Sequence, residues 1–308
     1  MQLKAHAPGS LMLLGEYAVL HDYPALVAAI NQRLRVELTP KREAVLSITS
    51  DRYGAYEAPL SALTAVDDFN FVIETVKLFK DKMSSGLELT ITSDFSGQIG
   101  FGSSAALVVA TLAALNAWLQ LQLSPLEMVR FGRQIVQKVQ GTGSGADIAA
   151  SVYGGIIAYR KSPLFVRSFA KSHPLVAYYS GFKTKTAQAI LEVTTRFQPY
   201  PHVYSALLQA IGECAETGIH YLEQNDWPGL GKLFTVSQGL MEALGVSLPI
   251  LQQMVAQLNS IPGIFGAKIS GAGLGDCVIG LGEAHNSEFE SLIPIAMSEQ
   301  GVVCERIR

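Results

Sequence analysis

The sequence is poor in cysteine and in charge, and each shortage excludes classes of protein. Its three cysteines, Cys214, Cys277 and Cys304, are far apart and form no C-x-x-C pair. That argues against a disulfide framework and against a cysteine-based zinc site. Charged residues make up 16% of the chain, with a formal net charge of −3, which gives no general attraction to nucleic acid. We therefore expect a reducing, cytoplasmic compartment and no nucleic-acid partner.

A second shortage is local, because no charged side chain interrupts residues 103–123. The run is comparable in length with the ~20 residues that a membrane span requires. However, Asn116, Gln120 and Gln122 lower its hydrophobicity, and no Lys or Arg anchor flanks it. The segment therefore predicts a helix buried in a globular protein. We expect no membrane partner, and the amino-terminal MQLKAHAPGS has no hydrophobic signal core.

The sequence also lacks both standard nucleotide fingerprints, G-x-x-x-x-G-K-[ST] and a G-x-G-x-x-G placed after a strand. It has three glycine loops instead, of which the first, GQIGFGSSAA (97–106), precedes the charge-free helix. Glycines allow a ligand to approach the backbone, and Ser103 or Ser104 could cap the helix, whose first turn attracts anions. The alternative is a Gly-Ser turn that only caps a core helix.

The other two glycine loops also carry polar candidates. QGTGSGAD (140–147) ends in Asp147, where partial desolvation would suit a general base. The alternative is that Asp147 caps a helix beginning at Ile148. KISGAGLGDC (268–277) lies between two apolar strands. It could form a backbone-lined wall over phosphates, or it could be a tight turn between strands.

The hydrophobic pattern indicates a mixed α/β chain. Alternation predicts half-buried strands at 33–38 and 87–93, and helical spacing predicts a helix at 67–83. The segment 124–139 begins Ser-Pro-Leu-Glu, a capping-box pattern with proline at the first helical position.

The chain reads as two halves with a soft boundary near 160–175. Beyond that boundary the pattern predicts a strand, then three helical segments between 203 and 259, then the two strands around the third loop. No low-complexity linker or repeat separates the halves, so we expect them to pack against each other.

Three motifs together resemble those of the GHMP kinases, in their order and spacing. They are APGSLMLLGEYAVL (7–20), IGFGSSAA (99–106) with GTGSGAD (141–147), and KISGAGLGDC (268–277). The GHMP kinases act on small molecules such as galactose, homoserine, mevalonate and phosphomevalonate. The similarity covers nearly the whole chain, and KVQG…SGAD…YGG and SQGLMEALGVS…FGAKISGAG look most like the mevalonate kinases.

The resemblance implies a fold and an activity. The fold would be α/β (α+β) with two domains and the site between them. Residues 1–165 would form a nucleotide-binding domain like ribosomal protein S5, and residues 166–308 a ferredoxin-like domain. The activity would be phosphorylation of a mevalonate hydroxyl by ATP with Mg²⁺. The partner would be a small-molecule substrate, and a homodimer is left open.

The resemblance also implies roles for particular residues. Asp147 would be the catalytic base and Ser104 a ligand of Mg²⁺. ATP would be bound by Gly100, Gly102, Ser103, Ser104, Ala105, Gly271, Ala272 and Gly273. The substrate would be bound by Glu16, Tyr17, Ser144 and Lys185.

Two positions depart from the mevalonate kinase pattern. Ser10 stands where those kinases have a lysine beside the aspartate, and Val136 stands where they have a glutamate that shares Mg²⁺. Lys183 or Lys185 could replace the missing positive charge from the second half. The departures keep two alternatives open: a phosphomevalonate kinase, and a catalytically impaired relative that binds a nucleotide or metabolite.

Overall fold

The computed structural model describes residues 2–94, 100–284 and 292–307, so residues 97–99 of the first glycine loop lie outside the described residues. Within these ranges the strands are β1 (Leu3–Leu14), β2 (Ala25–Lys41), β3 (Val45–Ser50), β4 (Gly54–Pro59), β5 (Gly86–Ser93), β6 (Ile156–Arg160), β7 (Phe165–Phe169), β8 (Leu175–Tyr179), β9 (Ile264–Ser270), β10 (Cys277–Gly282), β11 (Leu292–Ile295) and β12 (Val303–Arg306). The α-helices in the same ranges are α1 (Asn70–Phe79), α2 (Ser103–Leu119), α3 (Pro125–Gln140), α4 (Ala146–Tyr153), α5 (Thr186–Phe197), α6 (Pro201–Gln224), α7 (Trp227–Ala243) and α8 (Pro249–Asn259).

The long strand β2 organises the first sheet, because it pairs with β1, β5 and β6. The strand order among the described residues is β12-β1-β2-β5-β3-β4, and β7 continues the sheet from β6. β3 and β5 are parallel, and the other pairs are antiparallel. Along β2, Leu34, Val36 and Leu38 are buried while Arg35 and Glu37 are partly exposed, which confirms the alternation predicted for this segment.

Helix α2 is the charge-free segment, and it is buried as predicted. It packs against β1 and β2 on one side and against α1, α3 and α4 on others, so apolar residues are needed around its whole circumference. The helix ends at Leu119, earlier than the sequence suggests, where Gln120 adopts a left-handed conformation with φ of 52°. No helix in the described part of the chain is long and apolar enough to cross a bilayer.

The helices beside α2 follow their capping signals. In α3 the Ser124 hydroxyl accepts from the Glu127 N–H at 3.3 Å, and the Glu127 carboxylate accepts from the Ser124 N–H at 2.8 Å, so the predicted capping box is confirmed. α1 is shorter than the predicted 67–83, because short 3-10 turns form at Asp67–Phe69 and Lys80–Lys82.

The second sheet has the order β11-β8-β10-β9, is antiparallel, and has α7 and α8 packed against it. The three helices predicted between 203 and 259 are α6, α7 and α8. Two strands from beyond residue 164 nevertheless join the first sheet, since β7 pairs with β6 and β12 pairs with β1. The domain limits 1–165 and 166–308 remain a prediction.

The two halves of the chain share a core. One buried cluster contains Leu14 and Leu26 of the first sheet together with Leu222 and Leu230 from the helices of the second half. α6 lies so close to β1 that a Cβ added at Gly218 would be 2.6 Å from Leu14 Cδ1. β1, the first turns of α2 and α4, and the third glycine loop all contribute residues to one cleft.

Candidate active site

The first glycine loop places the N-terminus of α2 beside β1. Gly102 has a φ of 67°, and a Cβ there would lie 2.1 Å from the Ser10 hydroxyl oxygen, so glycine is needed both for conformation and for space. The Ser10 N–H donates to the Phe101 carbonyl at 3.0 Å. These contacts fix the start of α2 against the strand that carries Ser10.

The first turn of α2 opens on the cleft. Gly102 is the N-cap, and no side chain caps the helix, so the prediction that Ser103 or Ser104 caps it is wrong. The helix begins one residue earlier than a serine cap requires, and both serines lie in its first turn. That turn has N–H groups without helical partners and the positive end of the helix dipole, which together favour an anion.

Asp147 lies in the first turn of α4, whose N-cap is Gly145, so the alternative in which Asp147 caps a helix at Ile148 is wrong. The Ser10 hydroxyl donates to Asp147 Oδ1 at 2.8 Å. Burial raises the pKa of Asp147, while the Ser10 hydrogen bond and the charge of Lys183 act to lower it. Asp147 is thus a desolvated carboxylate on the cleft with one neutral hydrogen-bond donor.

Ser144 holds the second glycine loop in shape. Its carbonyl accepts from the Tyr159 hydroxyl at 2.5 Å, and its own hydroxyl accepts from the Ala146 N–H at 3.2 Å. A Cβ at Gly145, whose φ is 91°, would lie 2.8 Å from the Tyr159 hydroxyl oxygen. The loop is therefore fixed by the same tyrosine that is buried under it.

Glu16 forms a buried ion pair that the sequence analysis missed. The Lys268 ammonium of β9 donates to Glu16 Oε1 and to the Ile269 carbonyl. Lys268 is 0% exposed and Glu16 1%, and burial lowers the pKa of Lys268, which the charge of Glu16 opposes. The other carboxylate oxygen, Oε2, is buried without a hydrogen-bond partner. Glu16 is therefore fixed by the second half of the chain.

Tyr17 links the first motif to the third glycine loop. It has a φ of 61°, is buried, and its hydroxyl donates to the Ala272 carbonyl at 2.5 Å. Burial raises the pKa of Tyr17 above its ordinary value. A strained backbone in a fixed, buried residue is typical of functional sites.

The third glycine loop is tied to the segment that carries the two lysines. The Thr184 hydroxyl donates to the Leu274 carbonyl at 2.5 Å, and the Asp276 N–H donates to the Phe182 carbonyl at 2.8 Å. Lys183 and Lys185 are exposed side chains on this segment. Of the two, Lys183 is the cation whose charge acts on Asp147 and on Asp276.

The structure brings every residue of the predicted site to one cleft of about 650 Å³. The predicted residues that line it are Glu16, Tyr17, Gly100, Gly102, Ser103, Ser104, Ala105, Ser144, Asp147, Lys185, Gly271, Ala272 and Gly273. Ser10 and Val136 line it as well. Their individual roles remain predictions.

Sequence reasoning missed two charged groups, the buried Lys268 that pairs with Glu16 and the cleft residue Asp276. Lys268 sits in an apolar strand, and its partner Glu16 is 252 residues away, so only the lone lysine among apolar neighbours hinted at a buried pair. Asp276, at the end of the third loop, lines the cleft. The sequence signal for Asp276 is an acid that directly follows the glycines of the third loop. In the described residues no group of three or more His, Cys, Asp or Glu could hold a metal.

Comparisons with known proteins show the family of the chain. The family model described as GHMP kinases N terminal domain matches residues 70–155, and GHMP kinases C terminal matches residues 219–291. The mevalonate kinase of Pyrococcus furiosus is 32% identical over 96% of this chain and 94% of its own length.

Two solved structures share the fold. The mevalonate kinase of Methanococcus jannaschii has a TM-score of 0.78 at 22% identity, covering 96% of this chain and 98% of that one. The phosphomevalonate kinase of Streptococcus pneumoniae, in complex with phosphomevalonate and AMPPNP, has a TM-score of 0.77 at 20% identity, covering 91% and 92%.

The fold and the sequence relatives define an ATP-dependent kinase that acts on an alcohol. The chain belongs to the GHMP kinase family, as the resemblance of its three motifs predicted.

Proposed function

We propose that this protein is a mevalonate kinase, which transfers the terminal phosphoryl group of ATP to a hydroxyl of mevalonate. The observation that carries the proposal is Asp147, a desolvated carboxylate held at 2.8 Å by Ser10 on a cleft that also receives the N-terminus of α2. The mevalonate kinase of Pyrococcus furiosus, related over almost its full length, supports the choice of substrate.

In the proposed reaction Asp147 accepts the proton of the substrate hydroxyl. The hydroxyl oxygen then forms a bond to the terminal phosphorus of ATP, the bond from that phosphorus to the bridging oxygen breaks, and ADP leaves. A raised pKa suits this role because a carboxylate is a better proton acceptor when its pKa is nearer the working pH. The first turn of α2 and the third glycine loop position the phosphates, and positioning supplies most of the catalysis in such reactions.

Ser10 stands where the mevalonate kinases have a lysine. In this proposal Lys183 supplies the positive charge that Ser10 lacks. Its positive charge acts on both Asp147 and Asp276, and its side chain lines the cleft. That contribution argues for a working enzyme over a catalytically impaired relative. Lys185, two residues further on, remains the candidate for binding the substrate carboxylate.

The positive charge on the cleft helps to choose between mevalonate and phosphomevalonate as the substrate. The cations among the described residues that line it are Lys183 and Lys185. Arg33 is engaged by Ser298 and the Gln300 carbonyl, and Arg35 by Asp94, so these arginines are used elsewhere. A second phosphate on the substrate would call for more positive charge, which favours mevalonate.

Mg²⁺ fits the chemistry of the cleft. The donors available are oxygen atoms of hydroxyls and carboxylates, which Mg²⁺ prefers, and this ion commonly keeps phosphate and water ligands besides one or two from protein. The Ser104 hydroxyl is the expected protein ligand from the first loop. When bound with ATP, the ion neutralises charge on the phosphates.

The proposal includes a cytoplasmic location. The three cysteines are free thiols, which is usual in a reducing compartment. A homodimer stays open, and light scattering of the purified protein measures it.

The test is an ADP-release assay with ATP, Mg²⁺ and each candidate substrate in turn. We expect turnover with mevalonate and a phosphorylated product by mass spectrometry, with little turnover of phosphomevalonate, homoserine or galactose. Preferred turnover of phosphomevalonate would support that alternative instead. A folded protein that binds ATP but turns over none of these compounds would contradict the proposal.

A further inference from the structure

Asp276 is an acidic residue held rigidly at the end of the third glycine loop. Its N–H donates to the Phe182 carbonyl at 2.8 Å, and its own carbonyl accepts from the Ser180 N–H at 2.9 Å. Its φ of 70° is unusual for a residue other than glycine. The backbone of Asp276 is thus held on both sides, and the residue lines the cleft.

The carboxylate of Asp276 has an unused acceptor. Its Oδ1 atom is buried without a hydrogen-bond partner. Burial raises the pKa of this carboxyl, while Lys183 and the Gly100 N–H favour its charged form. Leaving a buried acceptor unpaired is unfavourable, so an unpaired oxygen on a binding cleft indicates a ligand.

The position of this carboxylate beside the first glycine loop narrows the choice of ligand. A Cβ at Gly100 would lie 2.3 Å from Asp276 Oδ1, so the acid packs directly against the loop that we propose to bind phosphates. Two negative groups this close repel each other in a poorly solvated cleft. A cation between them turns the repulsion into attraction.

The other acids that line the cleft among the described residues are Glu16, Asp67 and Asp147. Glu16 also has an unpaired oxygen, but its charge is matched by the Lys268 ammonium in a buried ion pair, and Asp67 is exposed. Val136, on α3, presents an apolar side chain to the cleft. Asp147 is already bonded to Ser10 and is assigned to proton transfer. Asp276 is thus the carboxylate with an open oxygen next to the phosphate loop.

We propose that Asp276 supplies a carboxylate ligand, together with the Ser104 hydroxyl, to the divalent cation that accompanies ATP. This inference rests on the proposed function, because it needs a nucleotide in this cleft. Unlike that function, the inference predicts how Mg²⁺ changes the affinity for a nucleotide that cannot react.

The test measures the affinity of a non-hydrolysable ATP analogue, adenylyl imidodiphosphate, with and without Mg²⁺, by titration calorimetry. In the natural protein Mg²⁺ should strengthen binding. In Asp276→Asn the metal-free analogue should bind more tightly, because a negative charge beside its phosphates is gone. The gain from Mg²⁺ should fall by about tenfold, a typical size for coupling between two ligands.

Asp67→Asn is the matched control, since Asp67 is an exposed acid that lines the same cleft. It should leave the gain from Mg²⁺ within about twofold, well below the coupling expected for a ligand. An equal loss in both variants would mean that the effect is one of general charge, and would overturn the inference. An unchanged gain from Mg²⁺ in Asp276→Asn would also overturn the inference. The same holds if the affinities for the analogue with and without Mg²⁺ fall equally in that variant, because an equal fall indicates a structural role.

Two further outcomes separate the inference from the proposed function. If the natural protein does not bind the analogue with Mg²⁺, the proposed function fails and the inference falls with it. Circular dichroism checks that Asp276→Asn folds, and Asp276→Ser replaces it if it does not. Failure of both variants to fold would show that the carboxylate serves the fold, against the inference.

Discussion

Two carboxylates face the same cleft from different partners, and the comparison separates a reactive acid from a structural one. Asp147 receives a hydrogen bond from a neutral hydroxyl, Ser10, and burial raises its pKa. Glu16 instead receives the ammonium group of Lys268, and the two side chains are almost completely buried together.

The comparison shows that the group bonded to a carboxylate on this cleft determines its chemical role. Asp147 has a raised pKa beside its neutral donor, whereas the Glu16 carboxylate is bound to the Lys268 ammonium in a buried ion pair. Asp147 can therefore exchange a proton, while Glu16 joins β9 to the first motif. The four predictions below test this division, from the largest expected effect to the smallest.

Replacing Asp147 by asparagine tests the reactive member of the comparison. The amide cannot accept the hydroxyl proton, so we expect kcat to fall by about 10²–10⁴-fold, the usual contribution of a general base. Steady-state kinetics measure the loss, and binding of the ATP analogue serves as the control because it should persist. A rate near that of the natural protein would remove Asp147 from the role of base.

Replacing Lys268 by methionine tests the structural member. The change leaves the Glu16 carboxylate buried without its cation, which we expect to lower the free energy of unfolding by about 3–5 kcal/mol. Urea denaturation measures it. The double variant with Glu16→Gln should recover part of the loss, since the uncompensated charge is then absent. A loss below about 1 kcal/mol would show that water or another group already compensates Glu16.

Replacing Ser10 by alanine sharpens the comparison by removing the neutral donor. The Ser10 hydrogen bond lowers the pKa of Asp147, so its loss should raise that pKa. Because the base must be ionised, the acid limb of kcat/KM should move to higher pH. A limb that stays in place, in a pH profile of the folded variant, contradicts this account of Asp147.

Replacing Lys183 by methionine should have the smallest effect on the same limb. The positive charge lowers the pKa of Asp147, so its removal also moves the limb to higher pH. Lys183 is exposed, so we expect the shift to be smaller than that of Ser10→Ala and to shrink in high salt. Lys185→Met is the matched control and should alter KM for the substrate rather than the limb. Equal shifts in both variants would assign the effect to the charge of the segment as a whole.

Local features of the fold could be predicted from the sequence because their causes are local. The capping box at Ser124 and the alternation in β2 depend on residues within a few positions of one another. The buried character of α2 follows from its composition. The cap of α2 was assigned wrongly because Gly102 and the two serines are adjacent, and only the left-handed φ of 67° at Gly102 decides between them.

The site could be predicted as a set of loops, but not as a set of contacts. The three motifs indicated candidate site residues, and the predicted site residues all line one cleft. The partners of Glu16 and Tyr17 lie 252 and 255 residues away, and a single sequence does not identify such distant partners. The choice between Lys183 and Lys185 likewise depends on how the loop is tied to Leu274 and Asp276.

The pairing of β12 with β1 has a consequence for the order in which the chain folds during synthesis. Leu3 aligns with Arg306 and His6 with Val303, so the strand that carries Ser10 gains its second neighbour only when residues near 306 have left the ribosome. At about 5–20 residues per second, synthesis of the segment between β2 and β12 takes roughly 13–52 s. During that interval one edge of β1 is open, and the nascent chain must keep it from pairing elsewhere.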